Sequence, residues 1–158
     1  MELRKITFAN VDDITAMSVR EYQRNFVAPN VASLAQAYVA SSNGFAVQPF
    51  GLYDSGEPVG FVMFGYGSLG DWDDPPIAVG NYCLWRLMID QKYQGQGLGR
   101  QAMEASLRYV RGFPLGPAEA VWLSYEPENA VAKSLYHQFG FQENGQMCGE
   151  EIVAVLKL

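Results

Sequence analysis

The sequence predicts a single mixed α/β (α+β) domain, and three observations lead to this fold class. The chain has 158 residues, a length typical of one domain, and no linker or internal repeat divides it. Segments with strand-like and helix-like patterns follow the order β-α-α-β-β-β-α-β-α-β-β, which gives about seven strands and about four helices. Because 49% of the residues are hydrophobic and only 18% are charged, the chain can bury a substantial core.

The first third of the chain contains one strand and two helices. Apolar residues within positions 3–8 predict the first strand. Asp12 or Asp13 can cap a helix whose apolar residues continue to Tyr22. Residues 30–41 place apolar or small side chains at helical spacing and predict a second helix.

The middle of the chain predicts a hairpin and a long strand. Residues 45–53 and 58–67 are rich in β-branched and aromatic side chains, and they flank the turn-forming residues 54–57. A polar, proline-containing loop follows at 69–76. Residues 79–89 then form the longest strand candidate, and this strand ends at a glycine-rich turn.

The last part of the chain predicts two helices that alternate with strands. A helix over 98–111 ends at Gly112, and residues 120–125 form a short strand. Residues 129–139 form the next helix, and residues 141–158 supply two final strands. All of these elements together belong to one domain over residues 1–158.

Charge and cysteine content exclude several classes of function. With 11 Lys and Arg against 17 Asp and Glu, the formal net charge is −6, whereas general nucleic-acid binders need a basic surface. The acidic balance suits a neutral or cationic partner. Cys83 and Cys148 show neither zinc-ligand spacing nor a disulfide pattern, so we expect no metal site. Residues 1–10 lack the apolar region of a signal peptide, and no apolar run is long enough to cross a bilayer. A cytoplasmic protein without membrane contact is therefore expected.

The glycine-rich turn from Gln94 to Arg100 lies where a strand leads into a helix. Glycines permit positive φ angles and direct backbone N–H groups outward, and a helix N-terminus favours negative charge. The turn therefore predicts an anion site, although its glycine spacing alone fits a plain tight turn equally well. The dinucleotide pattern G-x-G-x-x-G fails because its last position is Arg100, and no P-loop pattern occurs.

Two motifs in this sequence resemble those of a known enzyme family. Gln94, Gly97 and Gly99 form Gln-x-x-Gly-x-Gly, and residues 129–141 read Asn-x-x-Ala-x-x-Leu-Tyr-x-x-x-Gly-Phe. Both patterns, in this order, resemble the GCN5-related N-acetyltransferase (GNAT) superfamily. The resemblance implies the GNAT fold with a mixed, mostly antiparallel sheet. It also implies an acetyl-CoA-dependent N-acetyltransferase.

Within that superfamily, residues 85–95 and 23–28 look most like bacterial diamine and spermine/spermidine acetyltransferases. This narrower resemblance implies a small cationic amine as the acceptor, such as spermidine or spermine. Two alternatives stay open: another acceptor, namely an aminoglycoside, an amino acid or a peptide N-terminus, or a non-catalytic acyl-CoA-binding sensor. Many members of the superfamily dimerise through their C-terminal strands, so the resemblance implies a possible homodimer. The apolar final strand over residues 152–158 is compatible with such a dimer contact.

The resemblance also assigns residues to the acetyl-CoA site. The strand before the turn is expected to pair with the pantetheine arm through its backbone groups, and the turn is expected to hold the pyrophosphate. Asn129 can cap its helix, contact the pantetheine, or do both. The expected cofactor-binding residues are Leu87, Met88, Ile89, Gln94, Gly95, Gln96, Gly97, Leu98, Gly99, Arg100 and Asn129.

Tyr136 is the expected acid that protonates the leaving thiolate. It lies seven residues after Asn129, two helical turns along, so both side chains fall on one face of the helix. A phenol with a pKa near about 10 is protonated at pH 7 and can donate its proton. The alternative is a core aromatic residue whose hydroxyl is bonded elsewhere.

The base and the acceptor site are predicted from carboxylates. Residues 81–83 place no carboxylate on the strand before the turn, so the amine is expected to lose its proton through water to Glu126 or Glu21. Glu126 follows a strand end and lies close to Asn129 in sequence. Acidic and aromatic side chains can attract the ammonium groups of a polyamine, although a solvated loop is an equal alternative. The expected substrate-binding residues are Glu21, Asp71, Trp72 and Asp73.

Overall fold

The computed structural model of the chain describes residues 1–68 and 74–158. The described residues form seven strands and four α-helices in the predicted order. The strands are β1 Glu2–Lys5, β2 Ala46–Asp54, β3 Glu57–Tyr66, β4 Tyr82–Ile89, β5 Ala120–Tyr125, β6 Gln142–Cys148 and β7 Glu151–Lys157. The helices are α1 Val11–Ala16, α2 Asn30–Ser42, α3 Leu98–Arg111 and α4 Ala130–Gln138.

One sheet contains all seven described strands, in the order β1-β2-β3-β4-β5-β7-β6. Neighbouring strands are antiparallel except β4 and β5, which are parallel. This confirms the mixed, mostly antiparallel sheet. The β4–β5 ladder contains only Tyr82 opposite Val121 and Cys83 opposite Trp122. Beyond these two pairs, the strands separate and leave a gap in the middle of the sheet.

The two faces of the sheet are covered by different helices. On one face α3 packs over the sheet through residues such as Ala102, Met103 and Val110, and side chains of α4 pack against the same cluster. On the other face Ile14 of α1 and Ala37 of α2 pack against the sheet. Because successive side chains of a strand point to opposite faces, β2, β3 and β4 contribute to both clusters.

A bulge in β4 bends this strand where it leaves β5. Met63 of β3 lies opposite Arg86, and Phe64 lies opposite Leu84, so Trp85 is the extra residue of β4. An extra residue bends the bulged strand and increases its local twist. The bulge follows the last paired residue, Cys83, and therefore helps to open the gap.

Helix α1 is shorter than the sequence predicts. It ends at Ala16, because Met17 adopts an extended conformation, and only a single 3₁₀ turn at Glu21–Gln23 follows. The buried Asn30 side chain donates to the Ile14 carbonyl at 2.8 Å and so satisfies one of the last carbonyls of α1. Residues 17–29 consequently lie as an irregular segment between α1 and α2. The capping prediction was also wrong, since Asp12 and Asp13 lie within the first turn of α1 and Asn10 precedes the helix.

The start of β4 also differs from the sequence-based expectation. The strand predicted to begin at residue 79 begins at Tyr82, because Pro76–Ala78 forms a 3₁₀ turn. Strand β7, the expected dimer strand, lies between β5 and β6, and both of its edges are already paired. Pairing with a second copy through the C-terminal strands would therefore use β6, which is one of the two edge strands. None of the helices in the described ranges has the length and apolar character needed to cross a bilayer.

Candidate active site

A cavity of about 590 Å³ lies at the gap between β4 and β5. Its walls come from the irregular segment after α1, from β4, from the glycine-rich turn, from the ends of β5 and β7, and from α4. The residues from the first of these walls are Val19, Arg20, Tyr22, Gln23, Asn25, Phe26, Val27 and Ala28. Both faces of the sheet contribute to the lining, so the cavity passes through the sheet.

The glycine-rich turn presents a run of unpartnered N–H groups to this cavity. Gly95 and Gly97 have φ angles of 81° and 78°, in the left-handed region that favours glycine. Gly97 precedes α3 and supplies no side-chain cap. Within the described part of the chain, no backbone N–H from residue 95 to residue 100 has a hydrogen-bond partner. Six such groups at a helix N-terminus form a site for an anion.

The side chains of the turn have roles that differ from those of its backbone. Gln94 donates through Nε2 to the Ile89 carbonyl at 3.0 Å and thus fastens the turn to the end of β4. Arg100 points elsewhere, because its Nε lies 3.3 Å from Glu104 and its guanidinium stacks over the Phe139 ring. Neither Gln96 nor Arg100 is among the described residues that line the cavity.

The second half of β4 has one free edge. Residues up to Ile89 pair with β3 on one side, whereas pairing with β5 stops at Cys83. Leu87, Met88 and Ile89 all line the cavity. The outward backbone groups of this stretch, apart from the Ile89 carbonyl that accepts from Gln94, can therefore pair with an extended ligand, as an added strand pairs with a sheet edge.

Tyr136 places its phenol in the same cavity. The ring packs near Tyr125 and Phe141, with centroid distances of 5.8 Å and 6.1 Å. The hydroxyl has no hydrogen-bond partner among the described residues. Burial, and after it the negative charge of Glu151, raises the pKa of Tyr136 to about 12. The phenol therefore stays protonated and its proton is available to a ligand.

Helix α4 holds Tyr136 in this orientation. Asn129 accepts a hydrogen bond from the Ala132 N–H at 3.2 Å and caps the helix. Asn129 and Tyr136 both line the cavity, as their spacing of two helical turns predicts. The prediction that Asn129 and Tyr136 lie on one face of α4 therefore agrees with the structure, and this face lines the cavity.

The opposite side of the cavity contains a glutamate that the sequence did not reveal. Ser124 alternates with Leu123 and Tyr125, which face α3, so its side chain faces the other side of the sheet. Glu151 is partly buried at the start of β7, and its Oε2 accepts a hydrogen bond from Ser124 Oγ. We call the space around these residues and the neighbouring Trp85 and Arg86 the acceptor chamber.

Arg86 brings a largely buried positive charge to the acceptor chamber. Its two terminal nitrogens donate to the Trp85 carbonyl at 2.8 Å and to Gln36 of α2 at 3.1 Å. Its Nε is buried and has no hydrogen-bond partner in the described part of the chain. Burial lowers the pKa of the Arg86 guanidinium, and the charge of Glu151 opposes this shift.

The other predicted carboxylates do not line the cavity. Glu126 lies just beyond β5 and is partly buried, and burial followed by the charges of Glu151, Glu128 and Glu150 raises its pKa. The Glu21 carboxylate is almost fully exposed and lies 3.9 Å from Arg24. The predicted substrate-binding residues Asp71, Trp72 and Asp73 lie outside the described residues.

A comparison with protein-family models identifies this arrangement. The model of the acetyltransferase (GNAT) family matches residues 11–141, which include the glycine-rich turn and α4. The chain belongs to the GNAT family. This confirms the resemblance drawn from the Gln94–Gly99 motif and the Asn129–Phe141 motif.

Curated GNAT relatives match part of this chain. Spermine/spermidine N(1)-acetyltransferase of Bacillus subtilis (strain 168) is 37% identical over 100 residues, or 63% of this chain and 62% of the relative's own length. N-alpha-acetyltransferase RimI of Mycobacterium tuberculosis is 30% identical over 87 residues, or 54% of this chain and 49% of that protein. The matches therefore span less than two thirds of these relatives.

Solved structures match the fold over nearly the whole chain. Aminoglycoside acetyltransferase AAC(6')-Ib in complex with coenzyme A has a TM-score of 0.77 and 19% identity, covering 98% of this chain and 93% of that one. The PaiA N-acetyltransferase of Thermoplasma acidophilum, also with coenzyme A, has a TM-score of 0.65 and 15% identity, covering 99% and 98%. At sequence identities of 19% and 15%, the structural similarity to these two proteins concerns the fold, which is the GNAT fold.

Proposed function

We propose that this GNAT-family chain transfers an acetyl group from acetyl-CoA to a primary amine, with a diamine or polyamine such as spermidine or spermine as the acceptor. The observation that carries the proposal is one cavity lined both by Tyr136 and by Gly95, Gly97, Leu98 and Gly99 of the glycine-rich turn, whose backbone N–H groups have no hydrogen-bond partner among the described residues. The Bacillus subtilis relative named spermine/spermidine N(1)-acetyltransferase supports the choice of acceptor. A net charge of −6 suits a cationic substrate.

The described residues fit acetyl-CoA in two places. The N–H groups of residues 95–100 would receive the pyrophosphate, because they combine unsatisfied donors with the positive end of α3. The free edge of Leu87, Met88 and Ile89 would pair with the pantetheine arm. Acetyl-CoA supplies the activated acetyl thioester at the end of that arm. The thioester would then lie at the gap in the sheet, within the cavity that contains Tyr136.

Transfer proceeds by direct attack in a ternary complex. The acceptor nitrogen forms a bond to the acetyl carbon as the bond from that carbon to sulfur breaks. Tyr136 Oη gives its proton to the leaving sulfur. The nitrogen loses one proton through water to Glu126, whose raised pKa makes it a better proton acceptor than an ordinary glutamate. The two proton transfers leave an amide, a free thiol, a Tyr136 phenolate and a protonated Glu126, and the return of this proton from Glu126 to Tyr136 through water restores both groups.

A second candidate acceptor is an aminoglycoside. The likeness to AAC(6')-Ib, with a TM-score of 0.77, is the observation in its favour. That likeness comes with only 19% identity and therefore concerns the fold. The non-catalytic sensor is less well supported, because a protein that only binds acyl-CoA has no use for the unbonded phenol of Tyr136.

The proposal is tested by measuring free CoA release from acetyl-CoA over a panel of acceptors. The panel contains putrescine, spermidine, spermine, two aminoglycosides, free amino acids and a short peptide with a free N-terminus. We expect the highest kcat/KM for a diamine or polyamine. Turnover confined to aminoglycosides would select the second candidate, and tight acetyl-CoA binding without turnover of any acceptor would leave the sensor.

Replacing Gln94 with alanine should weaken acetyl-CoA binding about five-fold. The variant loses the hydrogen bond from Nε2 to the Ile89 carbonyl, and such a bond contributes about 1 kcal/mol to the ordering of the turn. Isothermal titration calorimetry with CoA gives the change in Kd. Gln96→Ala, in the same turn but outside the cavity lining, is the matched control. Equal Kd values for the two variants would contradict this role of Gln94.

Because the pKa of Tyr136 is raised, we expect that kcat does not fall as the pH increases to about 11. Its pKa of about 12 means that the phenol remains protonated where an ordinary tyrosine, with a pKa of about 10, would already ionise. We therefore expect kcat with spermidine to rise from pH 7 to pH 10.5 without a fall, because an amine with a pKa of about 10.4 is increasingly deprotonated over this range. A fall centred near pH 10, absent from pH-stability controls, would contradict the raised pKa.

A further inference from the structure

We propose that Glu151 binds a cationic nitrogen of the acceptor in the acceptor chamber. This inference rests on the proposed function, since it requires that an amine enter the cavity. Glu151 is the only carboxylate among the described residues that line the cavity, which otherwise carry the positive charges of Arg20 and Arg86 and neutral side chains. A cationic nitrogen that enters the chamber can therefore form a charge-assisted hydrogen bond with the Glu151 carboxylate.

The register of the sheet places the Glu151 carboxylate firmly. Ser124 of β5 lies opposite Val153 of β7, so Glu151 is a diagonal neighbour of Ser124 on the same face. Ser124 Oγ donates to Glu151 Oε2 and leaves Oε1 without a hydrogen-bond partner among the described residues. Ser124 is thus a positioning residue. Oε1 is the atom available to a ligand.

Arg86 does not compete for that oxygen. Its terminal nitrogens bond the Trp85 carbonyl and Gln36, and no ion pair within 4.0 Å joins it to Glu151 in the described part of the chain. The positive charge of Arg86 nonetheless lies close enough for Glu151 to act on its pKa. The chamber therefore offers one available carboxylate oxygen of Glu151. The neighbouring Arg86 guanidinium already donates hydrogen bonds through both of its terminal nitrogens.

The position of Glu151 also connects the chamber with the reacting end of the cavity. Glu151 and Tyr136 both line this cavity, and the negative charge of Glu151 contributes, after burial, to the raised pKa of Tyr136. An amine held at Glu151 consequently lies in the same cavity as the proton donor. Glu151 takes no proton in this proposal, because it binds and orients the acceptor.

The test compares Glu151→Gln with Glu150→Gln in steady-state kinetics with spermidine. Glu150 is the exposed neighbour in the β6–β7 turn and lies outside the cavity lining, so its substitution removes the same charge without touching the chamber. We expect Glu151→Gln to raise KM for spermidine by 10-fold to 100-fold and to leave KM for acetyl-CoA unchanged. Glu150→Gln should change neither constant by more than two-fold.

A positioning variant and a binding measurement make the outcome unambiguous. Ser124→Ala should raise KM for spermidine several-fold, by releasing the Glu151 side chain, and it keeps the test valid where Glu151→Gln folds poorly. Calorimetry of spermidine with the CoA-bound protein should show the same order of affinities. Wild-type turnover together with an unchanged KM in Glu151→Gln would overturn the assignment and leave the proposed function intact. Absence of both turnover and binding for every amine would overturn both.

Discussion

Replacing Tyr136 with phenylalanine should lower kcat by about 10²-fold to 10⁴-fold and leave the affinity for acetyl-CoA unchanged. The substitution removes only the hydroxyl, which bonds no described residue, so the packing against Tyr125 and Phe141 is retained. Loss of a positioned proton donor has an effect of this size in enzymes that use general acids. Steady-state kinetics with the best amine gives kcat, and calorimetry with CoA gives the affinity.

Tyr109→Phe is the matched control for this measurement. Tyr109 of α3 packs on Phe50 and Phe64 of the sheet and does not line the cavity, and its substitution removes the same atom. We expect its kcat to stay within two-fold of the wild type. A Tyr136→Phe variant that is equally active would remove Tyr136 from the role of acid and would return it to that of a packing residue.

Replacing Gly97 with glutamate should weaken CoA binding by a factor on the order of 100 or more. The new carboxylate would stand beside the N–H groups that receive the pyrophosphate. Two like charges about 4 Å apart repel by about 4 kcal/mol at an effective dielectric constant near 20. No described atom lies within 4 Å of an added Cβ, so the Cβ itself meets no clash. Calorimetry with CoA measures the loss.

Backbone strain must be separated from this charge effect. A non-glycine residue at φ +78° costs about 1–2 kcal/mol, and Gly44→Glu introduces the same residue at φ +83°, also in open space but outside the cavity lining. Both variants should lose similar thermal stability, whereas only Gly97→Glu should lose CoA binding. Gly99→Ala should bind normally, because its Cβ would meet only Leu135 at 3.8 Å. CoA binding by Gly97→Glu at wild-type strength would exclude this turn as the pyrophosphate site.

Local sequence signals predicted well the secondary-structure elements around the glycine-rich turn. The predicted bounds of α3 and β5 agree with the structure, since glycines flank α3 at both ends and a short apolar run defines β5. The Asn129–Tyr136 spacing likewise predicted which face of α4 meets the cavity. These features depend on residues that are close together in the chain, and periodicity and glycine placement describe such features directly.

The Ser124–Glu151 side of the cavity was not predictable in the same way. Ser124 and Glu151 are 27 residues apart, and only the pairing of β5 with β7 brings them together. The end of α1 was also missed, because it depends on a tertiary hydrogen bond from Asn30 rather than on the apolar pattern that continues to Tyr22. Carboxylates chosen by sequence position alone, such as Glu21, therefore fell outside the cavity lining.

The short β4–β5 ladder has a consequence, under the proposed function, for how this protein can change over evolutionary time. In that proposal the donor is received by a compact local unit, residues 94–100 and α4. The acceptor then meets residues 17–28 and the start of β7, which are separate segments of the chain. Substitutions in these segments can reshape the specificity for amines without disturbing the acetyl-group delivery. The two substrate specificities can therefore diverge independently within one small domain.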